Sequence, residues 1–294
     1  MAMTKQVIIT SDSTADLPPR LREEIGLHIL PMHILLEGKT YLDGADITPA
    51  VIFEAFRARK SVPKTAAPSP EACKEFFEGF TSQGASVVHV TINHKYSSCS
   101  QNAVLGARMA AGEVHVVDSL NFCVSQGLLC LHAHRMREKG MAAAEIAGEL
   151  TRLREKVWGV YYLDALEFIS KSGRCPGILA MGANLLKLHP AVQFHGDTGG
   201  QTIGKKYRGK SADAAEAWLR DTARRFLEEC DPGECFLVHT PDISPEAYKP
   251  MYALTRELLE PHVGRLEIEG AGCVGCTTLS HVGGGCFGLV GMAR

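Results

Sequence analysis

Short apolar runs that alternate with helical stretches organise the first half of this 294-residue chain. Residues 7–10, 87–92 and 113–117 have the length and composition of strands that are buried on both faces. Each run is followed by a polar turn and then by a stretch with helical periodicity, such as residues 97–110. This alternation predicts an α/β fold with a doubly wound, mainly parallel sheet.

The second half of the chain has a different pattern. Its predicted strands are residues 158–163, 185–194, 201–207, 235–239 and 265–269. Its predicted helices are residues 165–170, 212–230 and 245–259, and the chain ends in a predicted polar turn at 277–281, a glycine run and a last strand. We therefore predict a second α/β domain with a mixed sheet, which divides the chain into domains 1–157 and 158–294.

Polar side chains follow the predicted strands where the strands end. The run at 87–92 ends in Asn93 and His94, with a helix N-terminus at Ser97, and the first strand ends in a run that includes Ser13 and Asp16. Ligands of open α/β sheets bind at this edge, and helix N-termini attract anions. The pattern predicts a site for a ligand with an anionic head group. For Ser13 and Asp16, simple helix capping by Asp16 remains an alternative.

A proline-rich loop presents one further hydroxyl. Pro63, Pro68 and Pro70 each fix their own backbone and hold the preceding residue extended. The loop is therefore stiff, and we expect it to hold Thr65 in a defined position.

Composition excludes several classes of protein. The chain has 31 basic and 33 acidic residues, so it lacks the basic excess of a nucleic-acid-binding protein. Its apolar runs are too short for a membrane span, and the first of them is too short for a signal peptide. We expect a cytoplasmic protein.

The ten cysteines are scattered through strand, helix and loop contexts. We expect free, buried thiols, since a chain of this size needs no disulfide framework. Cys273 and Cys276 form a single CxxC without a second ligand pair, so a metal-binding or structural protein is a minor alternative.

A series of short motifs runs through the whole chain. They are DSTADLP at 12–18, YLDGADIT at 41–48, DS at 118–119, SQG at 125–127, SGR at 172–174, LLKLHP at 185–190, KYR at 206–208 and HVGGG at 281–285. Each is weak alone, but in this order and spacing they resemble the DegV family of fatty-acid-binding proteins.

The resemblance implies two α/β domains with a long-chain fatty acid between them and no other cofactor. It implies a lipid-carrying subunit of bacterial fatty acid kinase, which is not itself an enzyme. Such a subunit presents the carboxylate to a separate ATP-using subunit that makes the acyl phosphate. The chain has no P-loop and no GxGxxG after a strand, which agrees with a protein without nucleotide chemistry of its own.

The resemblance also assigns residues to the site. Thr65, Asn93 and His281 are expected to donate hydrogen bonds to the carboxylate, with Arg208 nearby. Further ligand-binding candidates are Ser13, His94 and Ser97, and Arg174 is expected to dock the kinase subunit. Asn93 and His94 stand where the family has two serines.

That substitution leaves two alternatives open. The cavity can hold a different acyl chain or a different carboxylic acid. The chain can also be an enzyme in which His94, Cys99 and Asp118 act as base, nucleophile and orienting group, since Cys99 lies near a predicted helix N-terminus.

Overall fold

A parallel sheet forms the centre of the N-terminal half in the computed structural model, which describes residues 5–164, 166–179, 188–268 and 272–294. The strands of this half are β1 (Val7–Asp12), β2 (His28–Leu30), β3 (His33–Leu36), β4 (Lys39–Leu42), β5 (Lys64–Ala66), β6 (Ser86–Thr91) and β7 (Val114–Asp118). The helices are α1 (Pro19–Ile25), α2 (Pro49–Arg59), α3 (Pro70–Thr81), α4 (Cys99–Met109), α5 (Cys123–Glu138) and α6 (Ala143–Leu153). The sheet has the order β2-β1-β6-β7, with all neighbours parallel.

Helices cover both faces of this sheet, as its continuously apolar strands require. On one face, Val87 of β6 packs with Phe77 of α3. On the other face, Val88 and Val90 lie in one core with Leu128 of α5. The doubly wound parallel sheet predicted from the apolar runs is confirmed.

A small antiparallel sheet of order β4-β3-β5 projects from the N-terminal half. Its buried residues Ile34 and Leu36 pack against Phe168 and Leu279, which belong to helices of the C-terminal half. The small sheet therefore forms part of the packing interface between the two halves. It also carries Thr65, which pairs with Ile34 across the sheet.

The C-terminal half contains a six-stranded mixed sheet, as predicted. Its strands are β8 (Val157–Tyr162), β9 (Leu188–His195), β10 (Gly200–Arg208), β11 (Cys230–His239), β12 (Arg265–Glu267) and β13 (Phe287–Ala293). Its helices are α7 (Leu166–Ser172), α8 (Pro176–Leu179), α9 (Ser211–Glu229), α10 (Pro245–Leu259) and α11 (Cys276–Val282). In the order β10-β9-β8-β13-β11-β12, only β11 and β12 are parallel neighbours.

The two faces of this sheet have different partners. On the outer face, Trp218 and Phe226 of α9 fill a core of their own. On the inner face, Phe194 and Val290 join the core that contains Leu128 of α5. One apolar core therefore runs continuously from the parallel sheet to the mixed sheet.

Most predicted elements are found within a few residues of their expected bounds. The predicted strand pair is the antiparallel pair β9 and β10, in which Gln201 faces Phe194. Residues 165, 185–187 and 269, which the predicted elements included, lie outside the described residues. No helix in the described ranges is long and apolar enough to cross a membrane. The domain boundary between residues 157 and 158 stays a prediction.

Two local predictions were wrong. The polar turn expected at 277–281 is part of helix α11. Asp16 is not a helix N-cap: it follows a short 3-10 turn in a left-handed conformation with φ of 46°, and Asp12 caps that turn by accepting from the Thr14 N–H. The side chain of Asp16 instead reaches the backbone of the C-terminal half.

Two aspartates of the N-terminal half cap the start of α11. Asp43 accepts from the backbone N–H groups of Cys276 (3.0 Å) and Thr277 (3.1 Å). Asp16 Oδ1 accepts from the Gly275 N–H at 2.8 Å. The first amides of a helix have no partner within the helix and carry the positive end of its dipole. The two carboxylates therefore satisfy these amides across the junction of the halves.

Burial makes the Asp16 carboxylate costly. Desolvation raises the pKa of Asp16 to about 7, although the Thr278 hydroxyl and the Gly275 N–H favour the charged form; the nearby Asp43 carboxylate raises it further. In the unfolded chain the carboxyl titrates near its ordinary value of about 3.9. The folded protein therefore binds more protons at Asp16 between about pH 4 and 7, and stability falls as the pH rises through this range.

Replacing Asp16 by Asn should remove this pH dependence while it keeps the acceptor for Gly275. We expect the free energy of unfolding of Asp16→Asn, relative to the wild type, to rise by about 2 kcal/mol between pH 5.5 and 7. Urea unfolding at both pH values measures it. Asp242→Asn is the control, because exposed Asp242 also accepts a backbone N–H. If the difference in free energy of unfolding between Asp16→Asn and the wild type is the same at both pH values, the raised pKa of Asp16 is contradicted.

Candidate functional site

A cavity of about 350 Å³ lies between the carboxyl edge of the parallel sheet and the inner face of the mixed sheet. This volume is in the range of ligand pockets, about 300–1,000 Å³. Both halves of the chain contribute to its wall. The apolar and aromatic lining residues are Met32, Ala66, Ala67, Ile92, Tyr96, Phe122, Cys123, Tyr161, Leu163, Ile169, Val192, Phe194, Val238, Val274, Val282, Cys286 and Phe287.

Aromatic rings form one rigid part of this wall. The ring centroid of Phe122 lies 4.4 Å from the ring centroid of Phe194 and 4.8 Å from that of Tyr161. Tyr161 is fixed further by a 2.8 Å hydrogen bond between its hydroxyl and that of Ser125. Because the polar atom of Tyr161 is engaged, the ring presents an apolar surface to the cavity. The wall therefore suits a long apolar ligand.

Thr65 and His281 form a polar pair in the same cavity. The Thr65 hydroxyl lies 2.8 Å from Nε2 of His281, so β5 of the small sheet is joined directly to α11. Burial, helped by the positive charge of Arg174, lowers the pKa of His281 to about 4. The imidazole is therefore neutral at pH 7, with one N–H donor and one acceptor nitrogen.

The neutral imidazole allows a relay toward a carboxylate. When Nε2–H donates to the Thr65 oxygen, the Thr65 O–H is free to donate to a ligand. When the proton lies on Nδ1, which has no partner among the described residues, that N–H is the available donor. In either tautomer the pair offers one hydrogen-bond donor.

Two further predicted residues lie at this cavity. The Ser97 oxygen accepts from the Cys99 N–H at 3.2 Å, which leaves its O–H able to donate. Arg174 lines the cavity but is exposed, and its guanidinium donates to the Ser172 carbonyl. The cavity wall therefore includes an exposed positive charge whose field reaches His281.

Asn93 and Ser13 do not line the cavity; their side chains hold the backbone instead. The Asn93 amide donates to the carbonyls of Leu120 and Gly199, each at 2.9 Å, and Asn93 is fully buried. The Ser13 hydroxyl donates to Asp43 at 2.8 Å. Neither side chain has a donor left for a ligand, so the structure contradicts a head-group role for either.

His94 and Arg208 also lie outside the cavity wall. The exposed His94 ring is 2.5 Å from Asp118, through Nδ1 and Oδ2. Arg208 is exposed at the end of β10, where its partner across the ladder is Leu188. Their roles in binding the ligand stay predictions without support from the cavity geometry.

The catalytic alternative has no support in the geometry. The Cys99 thiol is buried and donates to the Met32 sulfur at 3.0 Å. Burial, and next the negative charge of Asp12, raise the pKa of the Cys99 thiol far above neutrality, so that it stays protonated. Cys99 does not line the cavity, and the His94–Asp118 pair is not bonded to it.

The metal alternative also gains no support from the described residues. Cys276 donates weakly to the Ile47 carbonyl at 3.7 Å, and burial raises the pKa of its thiol to about 12. Within residues 5–164, 166–179, 188–268 and 272–294, no group of three or more histidine, cysteine or acidic side chains could hold a metal ion.

Sequence reasoning missed much of the wall. Thr277 and Thr278 lie on α11 one turn before His281, and Gln201 lines the cavity from β10. Thr277, Thr278 and His281 are spaced i, i+1 and i+4, a helical spacing that would have placed them on one side of a helix. This spacing is informative only if residues 276–282 are helical, and the sequence pattern predicts a polar turn there.

Comparison with known proteins agrees with this architecture. A DegV domain-containing protein of Caldanaerobacter subterraneus is 27% identical over 237 residues, which cover 80% of this chain and 83% of the relative. A Thermus thermophilus structure described as a fatty-acid-binding DegV family protein superposes with a TM-score of 0.84 at 27% identity, over 98% of this chain and all of the other. A DegV lipid-binding protein of Thermotoga maritima superposes with a TM-score of 0.79 at 25% identity, over 98% of each chain.

A family model also matches almost the whole chain. It is the model of the DegV family, described as uncharacterised proteins, and it matches residues 6–294. The match includes both sheets and every element that lines the cavity. The chain therefore belongs to the DegV family.

Proposed function

We propose that the chain binds one long-chain fatty acid in this cavity. The carboxylate would accept a hydrogen bond from the Thr65–His281 pair, with Ser97 as a further donor, and the acyl chain would lie along the aromatic and aliphatic wall. The observation that carries the proposal is this hydrogen-bonded polar pair in a mainly apolar cavity between the two sheets. The fatty-acid-binding Thermus relative supports it.

The acyl chain and the carboxylate are expected to contribute differently to the binding free energy. Burial of one methylene contributes about 0.8 kcal/mol, so about 14 methylenes contribute on the order of 11 kcal/mol before the costs of binding. A hydrogen bond to a charged group contributes roughly 1.5–3 kcal/mol. The acyl chain therefore provides most of the affinity, and Thr65 and His281 orient the carboxylate. Loss of Asn93 and His94 from the site is compatible with tight binding.

We further propose that the bound acid is offered to an ATP-using kinase subunit in the cytoplasm, and that this chain is not itself the enzyme. Arg174 supports this step, because it is exposed and lines the cavity that holds the polar pair. An exposed guanidinium beside a carboxylate is a suitable contact for an acidic or phosphate-bearing partner. The other candidate is a carrier of a different carboxylic acid, which the same polar pair would accept.

Native mass spectrometry of the purified protein tests the ligand directly. We expect a mass excess that denaturation and lipid analysis resolve to one long-chain fatty acid, or uptake of one equivalent when hexadecanoic acid is added. Prior delipidation provides the reference mass. A protein that neither carries nor takes up a fatty acid would refute the carrier function.

Thr65→Val should separate head-group recognition from chain burial. The shape is retained and the hydroxyl is lost, so we expect affinity for hexadecanoic acid to fall about tenfold. Affinity for hexadecanol, which has no carboxylate, should change much less. Isothermal titration gives both constants. His94→Ala is the control, because this exposed residue lies outside the wall. Equal losses for the acid and the alcohol would contradict the assignment.

Arg174→Ala should uncouple binding from transfer. The side chain is exposed and water screens its charge, so we expect fatty acid affinity to change by less than about threefold. Acyl phosphate formation with an ATP-using fatty acid kinase subunit should fall at least tenfold. Lys249→Ala removes an exposed cation on α10 and serves as the control. Unchanged acyl phosphate formation by the Arg174 variant would refute the docking role.

A further inference from the structure

The cavity contains a second polar position that the carboxylate site does not use. Thr277 and Thr278 line the cavity from the first turn of α11, and both are almost fully buried, with 2% and 6% of their surfaces exposed. The hydroxyl oxygens of both residues have no hydrogen-bond partner among the described residues. Buried hydroxyls are normally paired, so two neighbouring exceptions in a ligand cavity call for an explanation.

Helix geometry explains why these hydroxyls remain available. Ser280 on the same helix donates to the Cys276 carbonyl four residues earlier, and Thr255 of α10 donates in the same way to Met251, each at 2.7 Å. Thr277 and Thr278 lie in the first turn, so the residues four positions earlier precede the helix. The usual helical acceptor is missing for both side chains.

A buried carboxyl adds to this polar position. The Thr278 hydroxyl lies close enough to the Asp16 carboxyl to favour its charged form and lower its pKa, but the two groups do not meet at full hydrogen-bond geometry, and Oδ2 of Asp16 has no such partner within the described part of the chain. Oδ1 of Asp16 is engaged by Gly275. The Thr278 hydroxyl and one carboxyl oxygen therefore lie together beside the cavity, and Thr277, the preceding residue of α11, adds a second unpaired hydroxyl to its wall.

An unsubstituted acyl chain cannot satisfy this group, because methylenes neither donate nor accept hydrogen bonds. We propose that the cavity selects a long-chain fatty acid that carries a hydroxyl on one of the first few carbons after the carboxylate. Thr277 and Thr278 are then the specificity-determining residues. A hydroxyl both donates and accepts, as each threonine does. The proposal rests on the proposed fatty-acid-binding function and names the class of acid.

The helix sets the position of the hydroxyl along the acyl chain. Thr277 and His281 are four residues apart in α11, which is about 6 Å at 1.5 Å per residue. If His281 anchors the carboxylate, Thr277 lies near the first carbons and not near the terminal methyl. The wall supplied by Phe122, Phe194 and Val192 is left for the remaining methylenes.

Competition binding tests the selectivity. Delipidated wild-type protein is titrated with hexadecanoic acid and with hexadecanoic acids hydroxylated at carbon 3, carbon 5 or carbon 16. We expect the 3- or the 5-hydroxy acid to bind about tenfold more tightly than the unsubstituted acid, as one good hydrogen bond predicts. The 16-hydroxy acid should have no advantage. Preference for the unsubstituted or 16-hydroxy acid would overturn the proposal.

The double variant Thr277→Val, Thr278→Val assigns the selectivity to these residues. It retains the shape of both side chains and the backbone N–H bond to Asp43, so we expect it to fold and to bind hexadecanoic acid at least as tightly. The advantage of the hydroxy acid should disappear. Ser280→Ala, on the same helix but bonded to its own backbone, should keep that advantage. An unchanged ratio in the double variant would mean that water satisfies the threonines, which refutes the proposal.

The binding measurements distinguish the carrier function from the preference for a hydroxyl. Binding of hexadecanoic acid without any preference for a hydroxyl would refute the further inference and leave the carrier function intact. Failure of every acid to bind would refute the carrier function and this inference with it.

Discussion

The start of α11 is the point on which the arrangement of the site depends. Its first amides are capped by Asp16 and Asp43, which belong to the other half of the chain. A helix end without such partners would leave buried N–H groups unsatisfied, at a cost of about 1–3 kcal/mol each. The cap therefore fixes where α11 begins. One turn later, the same helix places His281 against Thr65 of the small sheet. The geometry of the Thr65–His281 pair, the proposed carboxylate site, therefore depends on a contact made at the other end of the helix.

A further buried carboxylate, that of Asp12, joins separate elements at the carboxyl edge of the parallel sheet. Asp12 is fully buried at the end of β1 and accepts from the backbone of Ile92, the side chain of Gln126 and both the N–H and hydroxyl of Thr14. Desolvation raises its pKa, while these donors favour the charged form. Asp12 thus joins the ends of β1 and β6 to α5. Polar bonds therefore hold this edge of the sheet together. Ser13 donates to the Asp43 carboxylate and Asn93 donates to two backbone carbonyls, so neither side chain has a donor left.

The sequence predicted the architecture better than the site. Apolar runs gave the parallel sheet, the antiparallel pair of the second domain and the long helix α9, because each depends on local periodicity. Thr65 and His281 were predicted through the family resemblance, and the structure brings them to 2.8 Å. Asn93 lies outside the cavity wall with its amide bonded to two carbonyls, which the sequence could not show, since a polar residue at a strand end looks the same whether it binds a ligand or a carbonyl. Helix α11 was missed because its cap is supplied from more than 230 residues away.

The capping of α11 by Asp16 and Asp43 also explains why the cavity wall is polar at the first turn of this helix. A helix that begins inside the protein exposes its first-turn side chains to the cavity before any carbonyl four residues earlier is available to them. Thr277 gives its backbone N–H to Asp43 and keeps its hydroxyl free, so capping and ligand recognition use different atoms of one residue. Apolar residues at these two positions would keep the cap and remove the polarity. Fold stability and ligand choice are therefore separable at Thr277 and Thr278. At Thr65 and His281 they are not, because one hydrogen bond both joins the two halves and orients the donor that we propose for the carboxylate.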